Sequence, residues 1–289
     1  MNNTRFDYSP IVSREPFELP KGERVALWVI PNIEHFHIDH GGVFIEPMTT
    51  VLVPDILNYS WKDYGTRVGI WRLMEIMEKY GVKGTVALNS EVCENYPQII
   101  EAGNGLGWEW MGHGSTNSDL FTNMTENEER QIIRKVLDTI ESSTHQKVKG
   151  WLSPALSETY NTLDILAEEG VEYVANWVND EQPYPMKVRK NSIISIPYSI
   201  ELNDISVLLH LGRSPAEFAQ MIMDQFDVLY KDGANNARVM AISLHAFLTG
   251  HPHSSKYVDQ ALKYITEHDS VRVTTGWEII KHYKKTLCL

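Results

Sequence analysis

Short apolar runs and longer amphipathic stretches alternate along the chain from residue 24 to its end, and this alternation constrains the fold more than any other feature. Alternating strands and helices of these lengths predict an α/β fold built on a largely parallel sheet. Seven or eight strands indicate that the sheet closes into a barrel. The runs with the length of buried strands are residues 24–30, 84–88, 107–111, 148–151, 172–175, 193–197, 238–244 and 271–273.

The amphipathic stretches between these runs have the end signals of helices. Thr125 opens one of them with the spacing of a capping box, and Gly81 and Gly170 directly follow two others, as expected just past a helix end. We interpret the methionine and aromatic residues on these stretches as core residues. The predicted helices are residues 67–80, 125–142, 157–169, 215–230 and 257–268.

Nothing in the sequence divides the chain into separate domains. It has no internal repeat, no low-complexity tract and no linker, so we predict one domain over residues 1–289, with an N-terminal extension at 1–23. Residues 36–63 show little periodicity and form a long segment for a loop. Loops of that length are usually functional lids or interface segments.

Charge and cysteine content exclude several classes of function. Lys and Arg number 26 against 38 Asp and Glu, and the net charge of −12 opposes binding to nucleic acid or to anionic membranes. Cys93 and Cys288 form neither a disulfide framework nor a metal-ligand spacing. Residues 1–19 lack the apolar core of a signal peptide, and no stretch is long enough to span a bilayer. We therefore expect a cytoplasmic protein with no nucleic-acid or membrane partner.

Polar side chains follow the carboxyl ends of almost all the predicted strands. In parallel α/β barrels these ends gather around one mouth, where catalytic groups are found. Side chains at this mouth would supply a carboxylate base, imidazole acids or ligands, and amide donors. The sequence therefore predicts an active site. The residues expected to converge there are Glu34, His35, His113, Asn117 and His245.

Five motifs along the chain resemble those of the polysaccharide deacetylase superfamily (carbohydrate esterase family 4, the NodB homology domain). Within it, they are most similar to the branch of cofactor-independent allantoinases. The resemblance covers residues 24–283 and implies a distorted (β/α)7 barrel of the polysaccharide deacetylase type. The motifs are Pro-Asn-Ile-Glu-His at 31–35, Gly-His-Gly-Ser-Thr-Asn at 112–117, Gly-Trp-Leu-Ser-Pro at 150–154, Asn-Trp-Val-Asn-Asp at 176–180 and Ser-Leu-His-Ala-Phe at 243–247.

The resemblance also implies roles for individual residues. The first motif of metal-dependent members ends in a base and a metal ligand, and Glu34 and His35 stand at those positions. The second motif supplies two histidine ligands, which here are His113 and Asn117, and the histidine of the last motif, here His245, is the general acid. Asparagine is a poor zinc ligand because its oxygen is neutral. We therefore expect either no required cofactor or a weakly held divalent metal, most readily zinc, on His35, His113 and Asn117.

The leading hypothesis is that the chain hydrolyses a non-peptide C–N bond and opens a small cyclic ureide or imide. Glu34 would take a proton from water, His245 would protonate the leaving nitrogen, and His113 with Asn117 would stabilise the oxyanion. His35 could orient Glu34 or bind the metal. The pocket walls would come from the third and fourth motifs and from the strand at 193–197. The expected substrate-binding residues are Asn117, Trp151, Ser153, Pro154, Trp177 and Tyr198.

Two alternatives remain open. The first is a metal-dependent N-deacetylase of polysaccharide or peptidoglycan fragments, against which the missing export signal and the altered metal set argue. The second is a non-catalytic barrel that binds a small molecule or a sugar, which a wide separation of Glu34 and His245 would support. Related members are commonly tetramers, so the resemblance implies a homo-oligomer acting on a small-molecule substrate. His37 and His40 are interpreted as loop residues without a role.

Overall fold

A computed structural model describes residues 3–39 and 42–286, so His40, Gly41 and Cys288 lie outside the described residues. Its centre is a single sheet. The strands of this part of the chain are β1 (Val25–Ile33), β2 (Thr85–Leu88), β3 (Glu109–Gly112), β4 (Gly150–Trp151), β5 (Tyr173–Val174), β6 (Tyr184–Met186), β7 (Ile193–Ser195), β8 (Arg238–His245) and β9 (Val271–Thr274). They follow the order β6-β7-β5-β4-β3-β2-β1-β8, and β9 pairs with β1.

The sheet is parallel throughout the described residues except at one edge, where β6 runs antiparallel to β7. Among the described residues β6 and β8 are the two ends of the strand order and do not pair with each other, so the sheet stays open between them. The seam is crossed instead by irregular backbone: an isolated bridge joins Asn203 to Ser243, and the Ser243 amide donates to the carbonyl of Leu202 at 3.0 Å. The predicted α/β distorted barrel is confirmed.

All of the strands expected from the sequence are present, with ends shifted by a few residues. Strand β6 was not predicted. Pro185 occupies its middle position, and proline cannot donate to a strand ladder, so it is confined to sheet edges and usually indicates a loop. Because β6 is an edge strand, it tolerates this proline.

The helices pack around the outside of the sheet. The capping box at the start of α5 forms as predicted, with Thr125 and Glu128 each accepting from the other's backbone amide. Segment 36–63 ends in a helix that continues through a π-helical turn (Gly65–Gly69) into the predicted helix at 67–80. The described helices are α1 (Ile56–Tyr64), α2 (Ile70–Lys79), α3 (Ser90–Asn95), α4 (Pro97–Gly105), α5 (Glu126–Thr144), α6 (Thr162–Glu168), α7 (Pro215–Asp232), α8 (Pro252–Thr266) and α9 (Gly276–Thr286). None of them is both long and apolar enough to cross a membrane.

Side chains of β1 divide between the two faces of the sheet. Ala26, Trp28 and Ile30 pack inside the barrel, whereas Val25 and Leu27 pack outward against the helices. Successive residues of an extended chain point to opposite faces, so this alternation continues past the end of the strand. It determines which of the polar residues after β1 faces the barrel mouth.

The N-terminal extension packs on the barrel. Phe17 and Leu19 are buried with the residues inside the barrel. Arg5 pairs with Asp164 at 2.9 Å, and Arg14 pairs with Asp180 at 2.6 Å.

Candidate active site

Glu34 lies at the centre of a buried polar group at the barrel mouth. Its Oε1 is 3.3 Å from His113 Nε2 and 3.5 Å from His245 Nε2, and it accepts a hydrogen bond from Asn117 Nδ2. Glu34 is 7% exposed, and both histidines are 3% exposed. The ends of β1, β3 and β8 therefore bring together four of the five residues expected to converge. We call Glu34, His113 and His245 the inner cluster.

Asp204 holds His245 in place from the side opposite Glu34. Its Oδ1 is 2.6 Å from His245 Nδ1, and its Oδ2 accepts from the His245 amide at 2.7 Å and from Thr249 Oγ1 at 2.8 Å. A carboxylate at Nδ1 places a proton there and fixes the ring so that Nε2 faces Glu34. Asp204 is completely buried.

The inner cluster contains an ion pair. Burial by itself would raise the pKa of Glu34, but the positive charge of His245, with hydrogen bonds from His113 and His245, lowers it well below the ordinary range. Burial by itself would lower the pKa of His245, but the negative charges of Asp204 and Glu34 raise it well above the ordinary range. The two directions agree, since each group stabilises the charged form of the other. Near neutral pH, Glu34 is an anion beside the His245 imidazolium.

A backbone amide determines which end of the Asn117 side chain faces Glu34. The His35 amide can only donate, and it donates to Asn89 Oδ1 at 2.9 Å. The Nδ2 group of Asn89 then donates to the carbonyl of His113 and to Asn117 Oδ1, the latter at 3.0 Å. Because its oxygen is used in this way, Asn117 presents its N–H to Glu34.

The metal set implied by the resemblance, His35, His113 and Asn117, is not assembled, and this is a correction. Asn117 presents an N–H, whereas zinc requires an electron-pair donor. His35 faces away from the barrel because it follows Glu34 directly, and Glu34 continues the inward alternation of Ala26, Trp28 and Ile30. These three residues therefore do not fit a zinc ion.

His35 lies instead beside His37 and Glu91. We call these three residues the outer cluster. Glu91 Oε2 is 2.9 Å from His35 Nδ1 and 2.8 Å from His37 Nε2. The donor atoms of all three residues lie within 4.8 Å of one another. All three side chains are partly exposed. His37, interpreted above as a loop residue, is therefore part of a polar cluster.

One oxygen of Glu34 remains available. Its Oε2 is buried and has no hydrogen-bond partner among the described residues. Beside Glu34 lies a cavity of about 10 Å³, which is roughly the space that one water molecule needs. Segment 36–63 contributes most of its walls and so lies over Glu34. The residues that line the cavity are Glu34, Phe36, Tyr59, Lys62, Asp63, Thr66 and Tyr96.

Tyr198, expected as a substrate-binding residue, is buried and hydrogen-bonds to Ser243 in β8, two residues before His245. Its hydroxyl donates to Ser243 Oγ at 2.8 Å and accepts from Asn203 Nδ2 at 3.0 Å. Asn32 Nδ2 donates to the same Ser243 Oγ at 2.8 Å. These bonds link the ends of β1 and β8 to the segment that follows β7.

The two tryptophans expected as pocket walls lie elsewhere. Trp151 has no exposed surface and packs edge-on against Phe121 between the sheet and the helices. Its neighbour Leu152 is the residue of this pair that faces the barrel interior, so alternation places Trp151 in the core. Trp177 is half-buried and packs against Phe6 with ring centroids 5.5 Å apart. The expectation that Trp151 contacts substrate is therefore corrected.

Ser153 and Pro154 are buried and support the backbone near His113. The Ser153 amide donates to Asn176 Oδ1 at 2.7 Å. Pro154 packs against Gly114, which has a φ of +71° and leaves no room for a side chain. His113 Nδ1 lies 2.5 Å from the carbonyl of Leu152, so the exit of β4 orients this ring.

Four residues that build the site were not assigned from the sequence. Three of them are polar residues that follow predicted strands, the signal that identified Glu34 and His113. The fourth, Lys62, is buried over the Phe36 ring at 4.4 Å, in a segment without a readable pattern. The four residues are Asn32, Lys62, Asn89 and Asp204.

A much larger cavity of about 1500 Å³ lies at the open seam of the barrel. The N-terminal extension, the edge strand β6 and parts of α7 and β8 surround it. Tyr198 reaches it, but no residue of the inner cluster is among its lining residues. Its size therefore does not identify it as the site of chemistry.

Comparisons with known proteins identify a matching family model and similar folds. Residues 60–174 match the family model described as Polysaccharide deacetylase. The structure of a probable polysaccharide deacetylase from Pseudomonas aeruginosa PAO1 superposes with a TM-score of 0.85 at 26% identity, covering 92% of this chain and 93% of the other. A Schizosaccharomyces pombe protein that carries polysaccharide deacetylase as a provisional name is 25% identical over 96% of this chain and 90% of its own. PuuE allantoinase has a similar fold, with a TM-score of 0.85 at 24% identity over 97% and 99% of the two chains.

Proposed function

Because this chain belongs to the polysaccharide deacetylase superfamily, we propose that it opens an amide C–N bond in a small cyclic ureide or imide. Membership gives the reaction class, which is hydrolysis of C–N bonds other than peptide bonds. The cyclic substrate is the part that we propose. It draws on the resemblance of the motifs to the allantoinase branch and on the way segment 36–63 lies over Glu34.

The observation that carries the proposal is the pairing of a carboxylate base with an imidazolium acid at one point. Glu34 Oε1 is 3.5 Å from His245 Nε2, and Glu34 Oε2 has no hydrogen-bond partner among the described residues. An amide nitrogen is a poor leaving group unless it is protonated, so its hydrolysis requires both a base and an acid. The protonation states of the ion pair are those that the two roles require.

The proposed reaction follows from these positions. Glu34 Oε2 takes a proton from water as the water oxygen bonds to the amide carbon. The C–N bond then breaks, and the His245 imidazolium gives its Nε2 proton to the leaving nitrogen. Asp204 stabilises the imidazolium beforehand and holds the ring in place. The transfer leaves Glu34 protonated and His245 neutral, and the pair is restored by exchange with solvent.

We assign His113 and Asn117 to holding the Glu34 carboxylate. Both were expected to stabilise the oxyanion, but both are directed at Glu34 Oε1 in the structure. The Asn117 N–H donates to Oε1, and a hydrogen bond to the ionised form of a carboxylate favours that form. It therefore keeps the base deprotonated and leaves its second oxygen for the reaction, while the His113 ring packs against Oε1 at 3.3 Å.

A second candidate is N-deacetylation of a polysaccharide or peptidoglycan fragment, which the description of the matched family model favours. The third candidate, a barrel that only binds, has no support in the geometry, because Glu34 and His245 are close together. The homo-oligomer and the cytoplasmic location stay predictions.

The test is a hydrolysis screen of the purified full chain, with and without chelator. We expect ring opening of at least one compound among allantoin, hydantoins and cyclic imides, with no loss of turnover in chelator and with turnover lowered by about 10²–10⁴-fold in the Glu34→Gln variant. Turnover restricted to N-acetylated sugar oligomers and dependent on added zinc would establish the second candidate. Binding without turnover of either class would leave a non-catalytic barrel.

A further inference from the structure

We propose that the outer cluster, His35, His37 and Glu91, is a binding site for a divalent cation of the zinc type. Two imidazoles and one carboxylate form a ligand set that holds zinc with a fourth position open to water. The three donor atoms already lie within 4.8 Å of one another. The two ring nitrogens converge on the same carboxylate oxygen, at 2.9 and 2.8 Å.

The spacing suits zinc after a small adjustment. Zinc binds nitrogen and oxygen ligands at about 2.1 Å, so the donors of a tetrahedral site lie about 3.4 Å apart. The two nitrogen–oxygen contacts would have to open by roughly half an ångström, and the two ring nitrogens, which lie within 4.8 Å of each other, would have to settle near the same 3.4 Å. Partly exposed side chains can make both adjustments by rotation. The side chains of His37 and Glu91 are 38% and 31% exposed, so a cation can reach them from solvent.

One donor of the cluster is not used by the protein itself. His35 Nδ1 is buried, and its contact with Glu91 lacks the alignment of a hydrogen bond. A buried ring nitrogen without an aligned partner is costly unless something else satisfies it. A cation placed between His35 and Glu91 would satisfy it.

The backbone of each ligand is held by the segment that follows β3. The His35 carbonyl accepts from the Asn117 amide at 3.0 Å. The His37 amide donates to Ser118 Oγ at 3.0 Å, and the Glu91 amide donates to the Ser115 carbonyl at 3.1 Å. The three positions are therefore preorganised, and a metal would have only side chains to order.

The outer cluster is distinct from the inner cluster. His35 and Glu34 are consecutive residues that face opposite sides of the extended chain, so a metal on His35 does not contact the Glu34 carboxylate. Such a metal would join the exit of β1 to the first turn of α3. We expect it to stabilise the folded chain by binding the native state alone.

The test is zinc binding by the full chain, stripped of metal and titrated with zinc chloride. The readouts are zinc content after dialysis, the dissociation constant from calorimetry, and the melting temperature with and without zinc. We expect one zinc per chain and a higher melting temperature when zinc is bound. Magnesium should give neither effect, because it prefers oxygen ligands.

Four variants locate the site. His37→Ala and Glu91→Gln remove ligands of the outer cluster, and each should weaken zinc binding by at least about 100-fold, since changes around a metal site that leave its ligands intact cost up to that much. Glu34→Gln, in the inner cluster, and His210→Ala, at an exposed histidine, should bind zinc like the unmodified chain.

Three results would overturn the proposal. Loss of zinc in Glu34→Gln with retention in His37→Ala would place the metal in the inner cluster. Retention of zinc in both outer-cluster variants would exclude these ligands. No zinc binding by the unmodified chain would leave the cluster as two imidazoles sharing a carboxylate. Circular dichroism of each variant separates loss of binding from loss of fold, and Glu91→Gln keeps the test valid if His37→Ala does not fold.

Discussion

The inner and outer clusters contain the same residue types, one glutamate and two histidines, on opposite sides of the end of β1. The inner cluster is almost completely buried and has a second carboxylate, Asp204, behind one imidazole. The outer cluster is partly exposed, and among the described residues it contains one carboxylate, Glu91, between two imidazoles. In the inner cluster, burial and the additional carboxylate determine which atoms carry protons. In the outer cluster, His35 Nδ1 has no aligned hydrogen-bond partner among the described residues.

The energetic consequences of this difference are large. A charge buried without its partner is strongly destabilising, and removing one member of a buried pair typically costs about 3–5 kcal/mol. The Glu34–His245 pair is therefore maintained by Asp204 and Asn117 together. Exposed ion pairs contribute about 0–1 kcal/mol and are screened by salt. The outer cluster can therefore open for a cation at little cost.

The largest expected effect is the loss of turnover when the inner carboxylate is neutralised. Glu34→Gln should lower kcat on the cyclic substrate by about 10²–10⁴-fold, the usual contribution of a general base. The matched variant Glu91→Gln should change kcat by less than about threefold, because an outer glutamate does not contact the reacting atoms. Steady-state kinetics measure both. Equal losses in the two variants would show that the inner and outer glutamates contribute alike to turnover.

The next largest effect is expected when Asp204, the carboxylate that holds the His245 ring, is neutralised. Asp204→Asn should lower kcat about 100-fold, within the range of general acid catalysis. The negative charge of Asp204 raises the pKa of His245, so its removal lowers that pKa. The imidazolium then loses its proton at a lower pH, and the alkaline limb of the kcat profile moves down. If kcat falls but the alkaline limb does not move, Asp204 has only a structural role.

A smaller effect is expected when a second negative charge is placed beside Glu34. Asn117→Asp substitutes a carboxylate for the N–H that Glu34 accepts from. Like charges disfavour ionisation, so the pKa of Glu34 should rise, and the acid limb of kcat/KM should move up by about one pH unit. Asn117→Ser, which keeps a donor without a charge, is the control. A shift of the same size in both variants would argue against an electrostatic cause.

The sequence predicts the inner cluster because topology determines it. Glu34, His113 and His245 each follow a parallel strand, and the carboxyl ends of parallel strands meet at one mouth. It was harder to predict which face of the sheet each side chain lies on. Counting the alternation of β1 past the strand end places Glu34 inside with Ile30 and places His35 outside. The metal set taken from the resemblance nevertheless combined His35 with His113 and Asn117, which lie beside Glu34.

Other parts of the site depend on contacts that no local pattern contains. Asp204 precedes a π-helical turn and reaches His245, which is 41 residues further along the chain. Asn89 orients Asn117 through a hydrogen bond to the His35 amide, so three separate segments together determine one amide orientation. Residue types and spacing predict that such groups are present, but the packed fold decides which atom faces which.

The smallest expected effect is that of pH, since activity should not change across the range in which free carboxyl and imidazole groups titrate. The pKa of Glu34 is lowered, so the base stays deprotonated as the pH falls through the ordinary carboxyl value of about 4.3. The pKa of His245 is raised, so the acid stays protonated as the pH rises through the ordinary imidazole value of about 6.5. The kcat/KM of the unmodified chain should therefore be flat between these values and beyond them on both sides. A limb of the kcat/KM profile inside this range would show that a group outside the Glu34–His245 pair controls activity, and the assignment of the base and the acid would fail.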